Sequence, residues 1–366
     1  MRVTSTITTS RSRAIFAGFA AAALVLAGCS SDEGSDSTDG GNVDNAASEV
    51  EIEDNEGAKT VPSPPSSVVA LDNRTFETLD SWDVELSAAA RSLMPDTNSM
   101  VDDESIPDVG NHREPNLETI VAAEPDVVIS GQRFTQFNEE IAGLVPDAEI
   151  IDLEPRDGED FDEELKRQTT TLGEIFQKQD EAQVLVDEFD ASIERVENAY
   201  DSETSVMAVN TSGGNINYLA PTVGRTLGPV FDIFDFSPAL EVDDASDDHQ
   251  GDDISVEAIA DSNPDLILVM DRDAAVGADE EGYTPANALI EESPALQNVG
   301  AVQDGNIVIM PEDTYTNEGI QTYTEFFNSL ADALESGAGA GAEGDDAEGA
   351  DAQATAEATN DDEAEN

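Results

Sequence analysis

Three arginines run against the composition of this chain. Its 366 residues carry 15 Lys and Arg against 82 Asp and Glu, a formal net charge of −67, so each retained cation asks for a reason. Arg133 and Arg272 each closely follow an apolar β-type run, Val127–Ser130 and Leu266–Met270. Arg225 follows the strand-like Ile216–Leu219 and a Pro-Gly turn, just before a helix. In open α/β sheets ligands sit beyond the carboxyl ends of strands, so the three are expected to face one cleft. A guanidinium offers a planar fork of donors and a face that stacks on rings. Three together favour a highly charged anion. Arg74 and Arg91 also follow candidate strands and are expected at the cleft rim. The competing role for each arginine is a surface ion pair, with acids everywhere to supply it. Three arginines at equivalent strand ends weaken that alternative.

Other chemistry is thinly provisioned. There is no Gly-x-Ser-x-Gly elbow and no phosphate-binding loop of the Walker type, and carboxylates are so many that pairing any two proves nothing. The chain is therefore read as not an enzyme. His112 and His249 are the two histidines and Cys29 the one cysteine. That is too few for a zinc or manganese site, which wants several convergent His and carboxylate ligands. His112 is expected to have a structural or surface role. Cys29 ends an N-terminal stretch in which Arg2, Arg11 and Arg13 precede the apolar Ala14–Ala27. A basic start, a short apolar run and small residues at the cut form a secretory signal peptide, and Leu26-Ala27-Gly28-Cys29 resembles a lipobox, where the thiol is acylated and the chain cut before it. Acyl chains add about 0.8 kcal/mol per buried methylene, so Cys29 is expected to anchor the chain outside the cytoplasm. Removal of the three leader arginines leaves 12 basic against 82 acidic residues, a net charge of −70. Such a surface repels nucleic acid and anionic lipid; acidity of this degree is also a surface habit of proteins from salty surroundings.

The elements that must position the arginines repeat once. Leu117–Ile129 is echoed by Val256–Leu268 at an offset of 139 residues without a gap, each a helix, a Pro-Asp and a strand, and Arg133 and Arg272 fall at matching places. A weaker echo pairs Leu79–Val84 with Phe231–Phe236. Apolar β runs alternate with amphipathic stretches, the pattern of a largely parallel sheet covered by helices. Two similar α/β lobes are expected, residues 49–159 and 203–336, with the ligand cleft between them. Residues 160–202 carry apolar residues at steps of three and four with no Pro or Gly after Gly173, which predicts one long linking helix of some 40 Å or more. Residues 1–28 form the leader. The segments 29–48 and 337–366 lack the apolar content to bury a core and are expected to be an acidic tether and an acidic tail.

Lipobox, tether, lobe, long helix and second lobe resemble the helix-linked class of substrate-binding lipoproteins of ABC importers, over about residues 50–334. Glu114-Pro115-Asn116-Leu117-Glu118 followed by Glu124-Pro125-Asp126-Val127-Val128-Ile129 is similar to that family's N-lobe signature. Ser130-Gly131-Gln132-Arg133, Ala220–Arg225, His249-Gln250-Gly251 and Asp271–Ala275 are similar to its ferric catecholate branch, of the enterobactin and petrobactin kind. That branch usually reads His-Gly-Gln where this chain has His249-Gln250-Gly251. The resemblance implies a ferric siderophore as ligand, with no separate cofactor, and permease subunits as partners. It implies His249 and Tyr315 as groups able to complete iron coordination, and Glu118 and Glu257 as one docking carboxylate per lobe. It implies a monomer, lipid-anchored on the outer face of the cell membrane, of Gram-positive type rather than periplasmic. Capture of haem or cobalamin is the rival, with Tyr218, Tyr315 or Met270 as axial ligand. A purely structural surface protein has no need of a two-lobe repeat.

Overall fold

A computed structural model describes residues 48–340; the leader, Cys29, the tether up to residue 47 and the tail beyond residue 340 lie outside the described residues. The described chain opens with an antiparallel hairpin, β1 (Glu49–Asp54) and β2 (Gly57–Pro62). The buried Asp54 carboxylate accepts from Lys59 Nζ at 2.7 Å and from the backbone N–H of Asp152 at 3.0 Å, which ties the hairpin to the first sheet. That sheet is formed by β3 (Val68–Ala70), β4 (Ala88–Ala89), β5 (Val127–Ser130) and β6 (Glu149–Asp152). All pairs are parallel, in the order β4-β3-β5-β6. Every residue of β3 and β5 is buried, as expected of a parallel sheet covered on both faces. The accompanying helices are α1 (Phe76–Ser81), α2 (Leu117–Ala123) and α3 (Asn138–Leu144).

The expected single linking helix is two helices, α4 (Phe161–Phe176) and α5 (Gln179–Ala199). Gln177 adopts the left-handed conformation at φ 56° and ends α4, and Lys178 N–H donates to Gly173 O at 2.8 Å. The Gln177 side chain offsets the cost of that turn by donating to Ser63 O at 2.7 Å. Gly173 permits the reversal, because a Cβ there would lie 2.7 Å from the Cβ of Ala182. Apolar periodicity cannot see such a break: both helices bury the same kind of stripe, and neither Pro nor Gly stands at the turn. Each helix reaches both lobes. Leu165, in α4, packs in the C-lobe core, while Leu172, Ile175 and Phe176 pack in the N-lobe core. In α5, Ala182 belongs to the N-lobe core, and Phe189 and Val196 belong to the C-lobe core. At 1.5 Å per residue the arms run about 24 and 31 Å.

The second sheet contains β7 (Ser205–Ser212), β8 (Asn215–Leu219), β9 (Ser237–Pro238), β10 (Leu266–Asp271) and β11 (Ile307–Ile309). Its path is β11-β10-β7-β8, with β9 also paired to β7. Without β8 the order is β9-β7-β10-β11, all parallel, which matches β4-β3-β5-β6 strand for strand. The added β8 is antiparallel to β7. Around it lie α6 (Gly228–Phe234), α7 (Val256–Ser262), α8 (Arg272–Gly277), α9 (Ala286–Glu291) and α10 (Gly300–Asp304). The long α11 (Ile320–Ala340) packs on α5, with Phe327 stacked on Phe189 at 5.7 Å between ring centroids. Among the described residues no helix is long and apolar enough to cross a membrane.

The repeat read in the sequence is a repeat of geometry. α2 and α7 both end in a left-handed residue, Glu124 at φ 44° and Asn263 at φ 45°. The Pro-Asp that follows does one job twice. Asp126 accepts from the N–H of Ser66 and Ser67 at 2.6 and 3.0 Å, and Asp265 accepts from the N–H and hydroxyl of Ser205 at 2.9 and 2.6 Å. Each thereby fixes the start of the neighbouring strand. The weaker echo holds too. Asp83 and Asp235 are left-handed at φ 54° and 49°, each followed by an N–H donating five residues back, Val84 to Leu79 and Phe236 to Phe231.

Candidate functional site

The three expected arginines meet on one ring. Arg133 lies on a 3-10 turn (Gln132–Phe137) after β5, and Arg272 opens α8 directly after β10. Arg225 sits between β8 and α6, where Gly224 comes so close to the β8 end that a Cβ would lie 2.6 Å from Ala220 N. Tyr315 lies on another 3-10 turn (Thr314–Thr316). The guanidinium carbons of Arg225, Arg272 and Arg133 stand 4.7, 4.9 and 5.9 Å from its ring centroid. Arg133 Nη2 also donates to the Tyr315 Oη at 3.1 Å. Burial alone would push the phenol up, but the hydrogen bonds and charge of the arginines outweigh it and bring it below its ordinary value.

Sequence reading missed Glu318, which is buried beneath this group. It accepts from Arg225 Nη2 at 2.9 Å, Thr226 Oγ1 at 2.6 Å and Gln132 Nε2 at 2.8 Å, and Arg74 Nη2 lies at 3.7 Å. Burial would raise its carboxyl, yet the charges of Arg225 and Arg74 prevail and hold it at about 2. Among 82 acids nothing in its local sequence marks it. Arg74 lines the cavity with Arg133 and Arg225, with Glu154 at 3.8 Å on its other side. Arg272 pairs with Asp273 at 3.2 Å. Among the described residues Arg133 is the member of the trio with no carboxylate within 4.0 Å. The cavity measures about 360 Å³ and is also lined by Glu154, Asp247 and Glu318.

Other expected residues fall elsewhere. Arg91 does not line this cavity; its Nη1 donates to the Val101 carbonyl at 2.8 Å and staples the loop that follows. His249 is exposed on the loop before α7, 3.8 Å from Asp248, and the structure does not bring it to Tyr315. Tyr218 and Met270 are buried in the C-lobe, and Tyr218 Oη donates to Leu240 O at 2.6 Å, so neither is available as an axial ligand. His112 is half-buried; burial, then the charges of Arg133 and Arg113, push it down. Glu118 and Glu257 are both exposed in the first turns of α2 and α7, at equivalent places on the two lobes. Just past the carboxyl end of β3, the buried Asp72 carboxyl accepts from Arg74 N–H and Gln168 Nε2, both at 3.2 Å. Burial drives it up to about 7 against the pull of Arg74. A larger cavity of about 530 Å³ lies between the lobes, but Glu77, Asp80, Asp96, Glu312, Asp313 and Glu325 line it and no cation does, so it suits no anion.

Two lobes on one strand plan, with arginines at their strand ends converging on one ring, define a two-lobe binding protein. A family profile described as periplasmic binding protein matches residues 68–314, and the chain belongs to that family, whose members are extracytoplasmic substrate-binding proteins rather than enzymes. The petrobactin-binding protein YclQ of Bacillus subtilis is 26% identical over 321 residues, 86% of this chain and 96% of YclQ. The ferric-anguibactin-binding protein FatB of Vibrio anguillarum is 30% identical over 268 residues, 73% of this chain and 81% of FatB. The crystal structure of the catecholate-siderophore-binding protein VctP of Vibrio cholerae shares the fold, with a TM-score of 0.67 at 23% identity over 79% of this chain and 100% of VctP.

Proposed function

We propose that the protein captures a ferric siderophore, of anionic catecholate type, outside the cytoplasm and delivers it to the permease of an ABC importer. The observation that carries this reading is the convergence of Arg133, Arg225 and Arg272 on the Tyr315 ring. Guanidinium forks meet catecholate oxygens, and their faces meet catechol rings. The relatives named for petrobactin and ferric anguibactin support the same ligand class. Iron arrives as cargo inside its chelator. Tyr315, and His249 if its loop folds over the cleft, are groups able to reach the metal of a chelator that offers too few oxygens. In the same reading the leader spans residues 1–28, Cys29 carries the lipid anchor, a tether reaches residue 48, and the lobes occupy residues 49–159 and 203–336 ahead of the acidic tail. The molecule works as a monomer on the outer face of the membrane, Glu118 and Glu257 docking on the permease.

Tryptophan and tyrosine fluorescence tests the reading, with the Cys29→Ser form as the protein. That form is expected in the culture medium rather than on membranes. A ferric complex that carries at least one catecholate arm and a net negative charge is expected to quench it at lower concentration than haem. Retention on membranes would remove the anchor, and equal or tighter binding of haem would replace the ligand class.

A further inference from the structure

The arginine cleft is far less positive than its arginines suggest. Four guanidiniums, Arg74, Arg133, Arg225 and Arg272, face three carboxylates within 4.0 Å of them, Glu154, Glu318 and Asp273. One positive charge is left over, and Arg133 carries it. Asp247 lines the same cavity but stands within 4.0 Å of none of the four guanidiniums, so it pairs with none of them. Glu318 cannot swing away to release Arg225, because Thr226, Gln132 and Arg225 all donate to it in a buried setting. Removing it from those donors would leave a buried charge unpaired, which is more costly than any surface contact it could gain.

Resting on the ferric-siderophore reading, we infer that Glu318 and Asp273 set the charge of the ligand: the cleft selects a ferric complex with a single net negative charge over a trianion. A monoanion cancels the surplus on Arg133. A trianion leaves two negative charges uncompensated beside Glu318, in a site where water screens poorly. The rest of the chain adds repulsion, since the mature protein carries a net charge of −70, the 12 remaining basic residues against 82 acidic ones. Arg225 and Arg272 then serve as oriented donors and ring-stacking faces rather than as free charges, a role that ion pairing with Glu318 and Asp273 leaves intact.

The test separates charge from shape. Four hexadentate ferric chelates on one tripodal backbone, with catecholate arms exchanged stepwise for hydroxamate arms, run from trianion through dianion and monoanion to neutral at constant denticity. Fluorescence titration of wild type is expected to rank the monoanion tightest and the trianion at least about tenfold weaker, roughly 1.4 kcal/mol. Glu318→Gln and Asp273→Asn each remove one negative charge and are expected to move the optimum one step toward the trianion. Asp273 is half-buried, so Asp273→Asn keeps the test open if Glu318→Gln does not fold. A dianion or trianion optimum in wild type, or an optimum that stays put in a folded Asp273→Asn protein, overturns the inference. A neutral optimum overturns the anionic-ligand reading as well, and failure of all four chelates to quench overturns the siderophore reading itself.

Discussion

The two lobes share a strand order, a helix ending and a Pro-Asp anchor, yet they contribute to the cleft unequally. The N-lobe core is largely aliphatic, with Val68, Val69, Val127, Val128 and Ile129 stacked on its sheet. The C-lobe core holds a run of touching rings, including Phe189, Phe234, Phe236, Phe326, Phe327 and Tyr323. The C-lobe also has the extra strand β8, and through it Arg225. It supplies Arg225, Arg272, Tyr315 and the buried Glu318, and both of its arginines pair with carboxylates of the same lobe, Glu318 and Asp273. The N-lobe supplies Arg133, which has no carboxylate within 4.0 Å, together with Arg74 and Gln132, which reach across to Glu318. The frame occurs twice, and the one member of the arginine trio without a carboxylate partner stands on the N-lobe side.

The sharpest break in this comparison comes from truncating one arginine on each side. Arg225→Ala strips the buried Glu318 of its main partner and is expected to cost about 3–5 kcal/mol of stability. Arg133→Ala leaves no buried charge behind; it is expected to cost under about 1 kcal/mol of stability while weakening ligand binding at least about tenfold. Urea unfolding of both variants, with ligand titration, measures this, and equal destabilisation would show that Arg225 and Glu318 are not paired as described.

Buried carboxyls divide the lobes in a second way. Asp72 in the N-lobe is raised from 3.8 to about 7, and Glu318 is lowered from 4.5 to about 2. A raised carboxyl binds its proton more tightly in the folded chain, so its stability contribution is full below the unfolded value and is lost as pH climbs through about 7. A lowered one contributes above the unfolded value and loses that contribution as pH falls toward about 2. Asp72→Asn is therefore expected to flatten the loss between about pH 4 and 7, by roughly 4 kcal/mol at most, and to leave the acid limb unchanged. Unfolding midpoints across that range check it; an unaltered slope would mean Asp72 ionises freely.

The smallest effect expected from a change inside the core is at the join of the lobes. Gly173→Ala puts a methyl 2.7 Å from the Ala182 Cβ, an overpacking that costs about 1–3 kcal/mol. Thermal unfolding reads it, and a neutral result would mean the α4–α5 turn has room to open.

What the sequence disclosed follows from what it holds in short supply. Cations are rare in it, so Arg133, Arg225 and Arg272 stood out, and the structure brings them together. The repeat was legible because Pro125-Asp126 and Pro264-Asp265 carry out a backbone task that few other pairs could. Acids are everywhere, so Glu318, which decides how much of the arginine charge is available, was indistinguishable from its neighbours. The break at Gln177 was hidden because its turn is stabilised by a partner 114 residues away, Ser63. The β1–β2 hairpin was hidden because only Val50 and Ile52 alternate with the acids of its first strand.

The pair of helices joining the lobes has a mechanical consequence. One rod fastened at both ends resists bending but lets its ends swivel about its axis. Two rods side by side, Leu165 and Phe189 set in one block and Ile175 and Ala182 in the other, stop the swivel and leave flexing across their common plane as the soft direction. Opening of the cleft is then a book-like tilt along a single path. A tilt of that kind keeps the Arg133 fork in line with Tyr315, because it adds no rotation about the axis that joins the lobes.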